Sequence, residues 1–153
     1  MNRLYNLRPH WLLLIFIVFD TVLIGMGMGV PIFPILFGFI LGWFLVKAIT
    51  LVLNDPFQLL RRVLLNALVA SGITFVGMAI LWLPFASYLF DPTMDLANTG
   101  IPMILYEPRE SLIGWIVLMV FISPFLQLLT TLFGAYLTLL IWMNKRPHVQ
   151  KAI

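Results

Sequence analysis

The sequence predicts an all-α integral membrane protein: a four-helix bundle made of two helical hairpins, with a long kinked fourth helix and both chain ends in the cytoplasm. Three observations predict it. The first is composition. Of 153 residues, 62% are hydrophobic and only 10% are charged, against about 25% charged in an ordinary soluble domain. Nine basic and six acidic residues cannot cover the surface of a soluble domain of this length, so lipid is the expected solvent. The second is that the apolar residues fall into runs long enough to cross a bilayer, separated by glycine, proline and charge. The third is the one-sided distribution of the basic residues. The apolar runs leave little room for a separate soluble module, so residues 1–153 are read as a single transmembrane domain.

The first run covers residues 11–28. At 1.5 Å per residue it is about 27 Å long, just enough for the hydrocarbon core. Arg3 and Arg8 precede it as in a signal peptide. No small-residue cleavage site follows, so the segment is expected to stay as a signal anchor. Residues 25–31 then bring three glycines and Pro31, which supply unusual backbone angles and interrupt helical hydrogen bonding. They read as the turn of a helical hairpin.

The second span is expected over 32–53, with Pro34 in its first turn, where a missing N–H costs little. Asp55-Pro56 reads as an N-cap followed by proline at the first helical position. It opens a short amphipathic stretch over 57–62, expected at the membrane surface, and then a third span over 63–85. Trp82, Tyr88 and Phe90 suit an aromatic belt at the far interface. Residues 86–107 read as the one substantial loop, in which the short apolar stretch 101–106 dips toward the interface. The fourth helix is expected over 108–143, capped by Glu107 or Ser111. At over 50 Å it exceeds the bilayer core and has to tilt or bend. Pro124 is the expected kink, because proline removes a helical hydrogen bond and crowds the preceding turn.

Orientation follows from the basic residues. With four spans, one side holds Arg3, Arg8, Arg61, Arg62, Lys145, Arg146 and Lys151, with Lys47 near it, and the other holds Arg109 alone. Eight against one places both termini in the cytoplasm. The expected location is the cell (plasma) membrane, with anionic lipids contacting Arg61, Arg62, Lys145 and Arg146. A net charge of +3 would suggest nucleic acid in a soluble protein; beside apolar spans it reads as topology control, and no nucleic-acid partner is expected.

Few residues can carry chemistry. Asp20 lies inside the first span, where an ionised carboxylate costs about 2.5–3.5 kcal/mol and must pair, protonate or meet water. It reads either as a proton or ion site or as a structural carboxylate that fixes helix packing. Lys47 is its candidate partner. Counting outward from Pro31 gives the two an offset of about 7–8 Å along antiparallel helices. The rival reading is that Lys47 snorkels to the cytoplasmic headgroups. Asn66 and Gln127, with Ser71, Thr74, Ser123, Thr130, Thr131 and Thr138, either line a polar path or bond between helices as packing contacts. Gly38 and Gly42 form a small-residue pair that lets another helix approach closely, whether within the chain or from a second one.

Cysteine is absent, which excludes thiol chemistry and Cys-based metal sites. The methionines share no short spacing and read as apolar filling. His10 and His148 stand at opposite ends of the chain and match no zinc motif. No phosphate-binding loop or catalytic triad is present, and no metal or cofactor is expected. Asp91, Asp95, Glu107 and Arg109 in the loop give the one weak enzymatic reading, a divalent cation acting on lipid; solvated loop charges explain them as well. The sequence therefore predicts no enzyme. It predicts an accessory or scaffold subunit of a membrane assembly, with a homo-oligomer or another membrane protein as partner. The alternative is an oligomeric small-solute or ion transporter or channel built on Asp20.

Overall fold

The computed structural model describes residues 9–25, 32–51, 55–98, 100 and 102–150. The hairpin turn expected at 25–31 lies, from residue 26 on, outside the described residues, as do Arg3, Arg8, Lys151 and the side chains of Lys145 and Arg146. Within the described residues the protein is all-helical and contains no strand. Its α-helices are α1 (Pro9–Gly25), α2 (Ile32–Thr50), α3 (Pro56–Trp82), α4 (Pro108–Val117) and α5 (Ser123–Gln150). A 3₁₀ helix, Leu83–Phe90, continues α3, and a π-helical turn, Leu118–Ile122, joins α4 to α5.

Three continuous helical stretches are long and apolar enough to cross a membrane: Ile32–Thr50, Phe57–Phe90 and Pro108–Asn144. The described part of α1 is a shorter apolar helix of 17 residues. Large apolar side chains such as Val18, Leu36, Leu68, Ile80 and Phe125 point outward from every one of these helices. In water that surface would be costly; in hydrocarbon it is the expected exterior.

Local chemistry explains where the helices begin. Asp55 stands in extended conformation and its carboxylate accepts a hydrogen bond from the Phe57 N–H at 3.1 Å, with Pro56 next in line. The cap signal in the sequence is therefore the start of α3. Residues 57–62 do not form the separate surface stretch that their pattern predicts. The helix runs without interruption from Pro56, because Leu59 and Val63 are buried on the same face that continues at Ala67 and Ala70, while Arg61 and Arg62 are exposed. At its other end Pro84 ends the α geometry without ending the helix. The chain tightens into the 3₁₀ helix through Phe90, so the loop begins at Asp91, five residues later than the expected residue 86.

The helix expected over 108–143 is one helical stretch from Pro108, with Glu107 at the cap position but making no side-chain cap bond. Pro124 has no N–H to donate. The turn just before it widens to π geometry, with the Ser123 N–H reaching back to the Leu118 carbonyl. Such an insertion is a recognised way for a helix to accommodate proline.

The packing centre is the α2–α5 pair, which makes the most extensive contact in the molecule. A side chain on Gly38 would put its Cβ 2.7 Å from the Gln127 carbonyl oxygen and the Thr130 Oγ1. One on Gly42 would overlap the Thr131 carbonyl, and one on Gly134 the Phe39 carbonyl. Glycine at these three positions lets the two backbones touch, and the Thr130 hydroxyl donates across to the Ile35 carbonyl at 2.7 Å. α3 packs on both partners, and α1 lies against α2 and α3. Phe16, Leu41, Leu45, Ile49, Leu59 and Val63 form the main apolar cluster. A second cluster, Leu112, Ile116 and Val120, packs on Trp82 and Phe85 at the other end.

Ser111 ties the loop to this second end. Its buried hydroxyl accepts from the Ile104 N–H at 2.7 Å and donates to the Pro102 carbonyl at 3.3 Å. Met103, Ile104 and Leu105 thus lie beside α4 with their side chains about half exposed. Ser111→Ala leaves the Ile104 N–H without its partner, at a cost of about 1–3 kcal/mol. The expected result is faster amide exchange at Ile104 and unchanged exchange in α2.

Candidate functional site

The candidate site is built around Asp20. α1 carries it into the bundle interior, where it is 3% exposed. Its Oδ2 accepts a hydrogen bond of 2.5 Å from the Thr74 hydroxyl on α3. Thr74 also reaches the Ala70 carbonyl one turn earlier at 3.1 Å. The second carboxyl oxygen, Oδ1, is buried and has no hydrogen-bond partner among the described residues. A groove of about 440 Å³ opens between α1 and α3, with Asp20 and Thr21 on one wall and α3 residues between 69 and 80 on the other.

Lys47 stands elsewhere. Phe19, next to Asp20, packs edge-on against Phe37 with ring centroids 4.9 Å apart. Lys47 is ten residues further along α2, or about 15 Å at 1.5 Å per residue. Its ammonium lies 4.0 Å from the centre of the Trp43 ring, a favourable cation–π distance, in the last turn of α2, where positive charge complements the helix dipole. The structure therefore does not bring Asp20 and Lys47 together. The expected offset of 7–8 Å assumed that residues pair symmetrically about Pro31. The Phe19–Phe37 contact puts Asp20 opposite about residue 36, not 42, and the offset doubles.

The other polar side chains mostly bond to helix backbone. Asn66 donates to the Arg62 carbonyl of its own helix at 2.9 Å. Ser71 donates to the Pro124 carbonyl at 2.7 Å, joining α3 to α5 one turn from the Asp20–Thr74 contact. Thr131 and Thr138 bond within α5, to Gln127 and Gly134. Gln127 is fully buried, and among the described residues neither atom of its side-chain amide has a hydrogen-bond partner; the buried Ser123 hydroxyl also has none there. Such atoms are uncommon in protein interiors. Gln127 and Ser123 are one helical turn apart, beside the π-helical turn and Pro124.

Two participants are not singled out by the sequence. Thr74 is one hydroxyl among many there; its role as the partner of Asp20 depends on the α1–α3 register. Gly134 has a legible signal: Thr130, Gly134 and Thr138 repeat at four-residue spacing and form a small-residue face on α5.

The loop carboxylates are engaged locally. Asp91 Oδ1 accepts from the Thr93 N–H at 2.9 Å and from its hydroxyl at 2.6 Å. Asp95 accepts from the Ala97 N–H at 3.2 Å and the Asn98 side chain at 2.6 Å. Among the described residues no group of three or more His, Asp or Glu side chains is placed to hold a metal ion. The Thr93 hydroxyl and amide hold the Asp91 carboxyl below the usual carboxylate range. A lowered folded value means that this contact stabilises the turn fully above the ordinary value of about 3.9 and fades as pH falls through the folded one. An NMR titration of the Asp91 carboxyl carbon is expected to show a depressed midpoint, and Thr93→Ala to return it toward the ordinary value.

Compared with known protein families, curated proteins and solved structures, the chain matches none.

Proposed function

We propose that this chain is a four-span integral protein of the cell membrane, with both termini cytoplasmic, and that it acts as a non-catalytic accessory or scaffold subunit of a membrane assembly. Three helices of spanning length support the membrane setting. α1 supplies the fourth span: its described 17 residues reach about 26 Å, close to the thickness of the hydrocarbon core. The eight-to-one basic asymmetry supports the orientation. Exposed Arg61 and Arg62, with Lys145 and Arg146, meet anionic lipid on the cytoplasmic side.

One observation carries the accessory role: the bonds that polar side chains make between helices serve packing. Thr74 meets Asp20, Ser71 meets Pro124 and Thr130 meets Ile35, and each contact locks one helix to another. Packed helices with an apolar exterior are suited to presenting surfaces to neighbours in the membrane. Purification in mild detergent tests this. A partner is expected at fixed stoichiometry through successive columns; migration of the chain alone contradicts it.

A second reading has its own support. Asp20 lines a groove and its Oδ1 has no hydrogen-bond partner among the described residues, which suits a small-solute or ion transporter or channel that uses this carboxylate. On that reading Asp20→Asn abolishes flux in proteoliposomes; flux that is unchanged removes it.

A further inference from the structure

We infer that the groove beside Asp20 receives a transmembrane helix of a different protein, one that carries a lysine or arginine at the depth of Asp20. The inference rests on the accessory-subunit reading and names the chemistry of the partner.

The first ground is charge. Asp20 lines the groove, and its buried Oδ1 has no donor among the described residues. A carboxylate within a membrane is stable when it is paired, and an ammonium or guanidinium is the donor that satisfies both its charge and its free lone pairs. The second ground is shape. Val69, Gly72, Ile73, Val76 and Ile80 recur at three- and four-residue spacing on α3 and all face outward. That is the stripe one helix offers to another. It extends about 16 Å along the axis, three turns, the length of a helix crossing. A Cβ built on Gly72 would have no atom within 4 Å, so a neighbouring backbone can approach closely there.

The third ground excludes a second copy in the same orientation. Thr74 sets the level of Asp20 on α3. Arg62 is twelve residues earlier on that helix, about 18 Å away, and Lys47 is displaced by about 15 Å along α2. Neither can reach the carboxyl of a parallel neighbour at the same depth.

The test uses the full chain in phosphatidylcholine vesicles and measures energy transfer to synthetic polyleucine transmembrane peptides with either a single central lysine or none. The lysine peptide is expected to associate at least tenfold more tightly than the all-leucine one. That preference is expected to vanish in Asp20→Asn, which keeps an acceptor for Thr74, and in Gly72→Phe, which fills the groove; circular dichroism and thermal melting check that both variants fold. Equal binding of the two peptides, or a lysine preference that survives Asp20→Asn, overturns the inference. So does dodecylamine binding at Asp20 without peptide binding, which would make the groove a small-amine site, or transfer between two labelled copies that Gly72→Phe abolishes, which would make it a self-association face. The accessory reading fails separately, by the chain purifying alone. A stoichiometric partner that stays bound to Gly72→Phe keeps that reading and removes this site.

Discussion

Gly42→Leu drives α2 and α5 apart. The new side chain meets the Thr131 carbonyl and the Ala135 backbone nitrogen, and neither can yield without moving the helix. Overpacking of this kind costs about 3 kcal/mol when backbone has to shift, a fall in Tm of about 10 °C for a chain of this size. The Thr130–Ile35 hydrogen bond, at 2.7 Å across the same interface, is lost with it. Thermal unfolding in detergent micelles measures the effect. Gly72→Ala is the control. It adds a methyl group where there is open space and improves helix propensity by about 0.5–1 kcal/mol, so it raises Tm slightly. If the two substitutions move Tm alike, the close α2–α5 approach is not what holds the bundle.

Thr74→Val isolates the Asp20 carboxyl. Oδ1 already has no partner among the described residues, and the substitution removes the hydroxyl that serves Oδ2. A buried polar group left with no partner costs about 1–3 kcal/mol. Asp20→Leu alone is milder, because Thr74 keeps its bond to the Ala70 carbonyl. The double variant replaces both partners with apolar groups of similar shape and is expected to recover most of the stability lost in Thr74→Val. A double-mutant cycle on Tm reads the coupling directly. Additive effects would show that the two side chains do not stabilise the bundle together.

The residues behind these two predictions mark where sequence reading succeeds and where it stops. Asp55-Pro56 and Pro108 announce helix starts because capping is local chemistry, decided within four residues. The apolar runs show their length because one dimension of the bilayer sets it. Gly38 and Gly42 show that a helix can come close, but the α5 residues that meet them lie about 90 positions away, and no local pattern names the partner. The same holds for Asp20. Its cost in a membrane is legible from one residue, yet its partner depends on how α1 is set against α2 and α3. A symmetric count about Pro31 errs by six residues, enough to replace Thr74 with Lys47. The far end of the span expected over 63–85 is also misjudged: Pro84 is accommodated by a change to 3₁₀ geometry, which keeps the chain helical to Phe90.

The four-span arrangement with both ends in the cytoplasm is the claim on which the partner, the lipid contacts and the depth of Asp20 depend. The native chain has no cysteine, so single cysteines introduced at Asn2, Asn98 and Gln150 report position without background. A membrane-impermeant maleimide applied to intact cells is expected to label only the Asn98 variant, with the Asn2 and Gln150 variants labelled after permeabilisation. Labelling of either terminal variant in intact cells contradicts it.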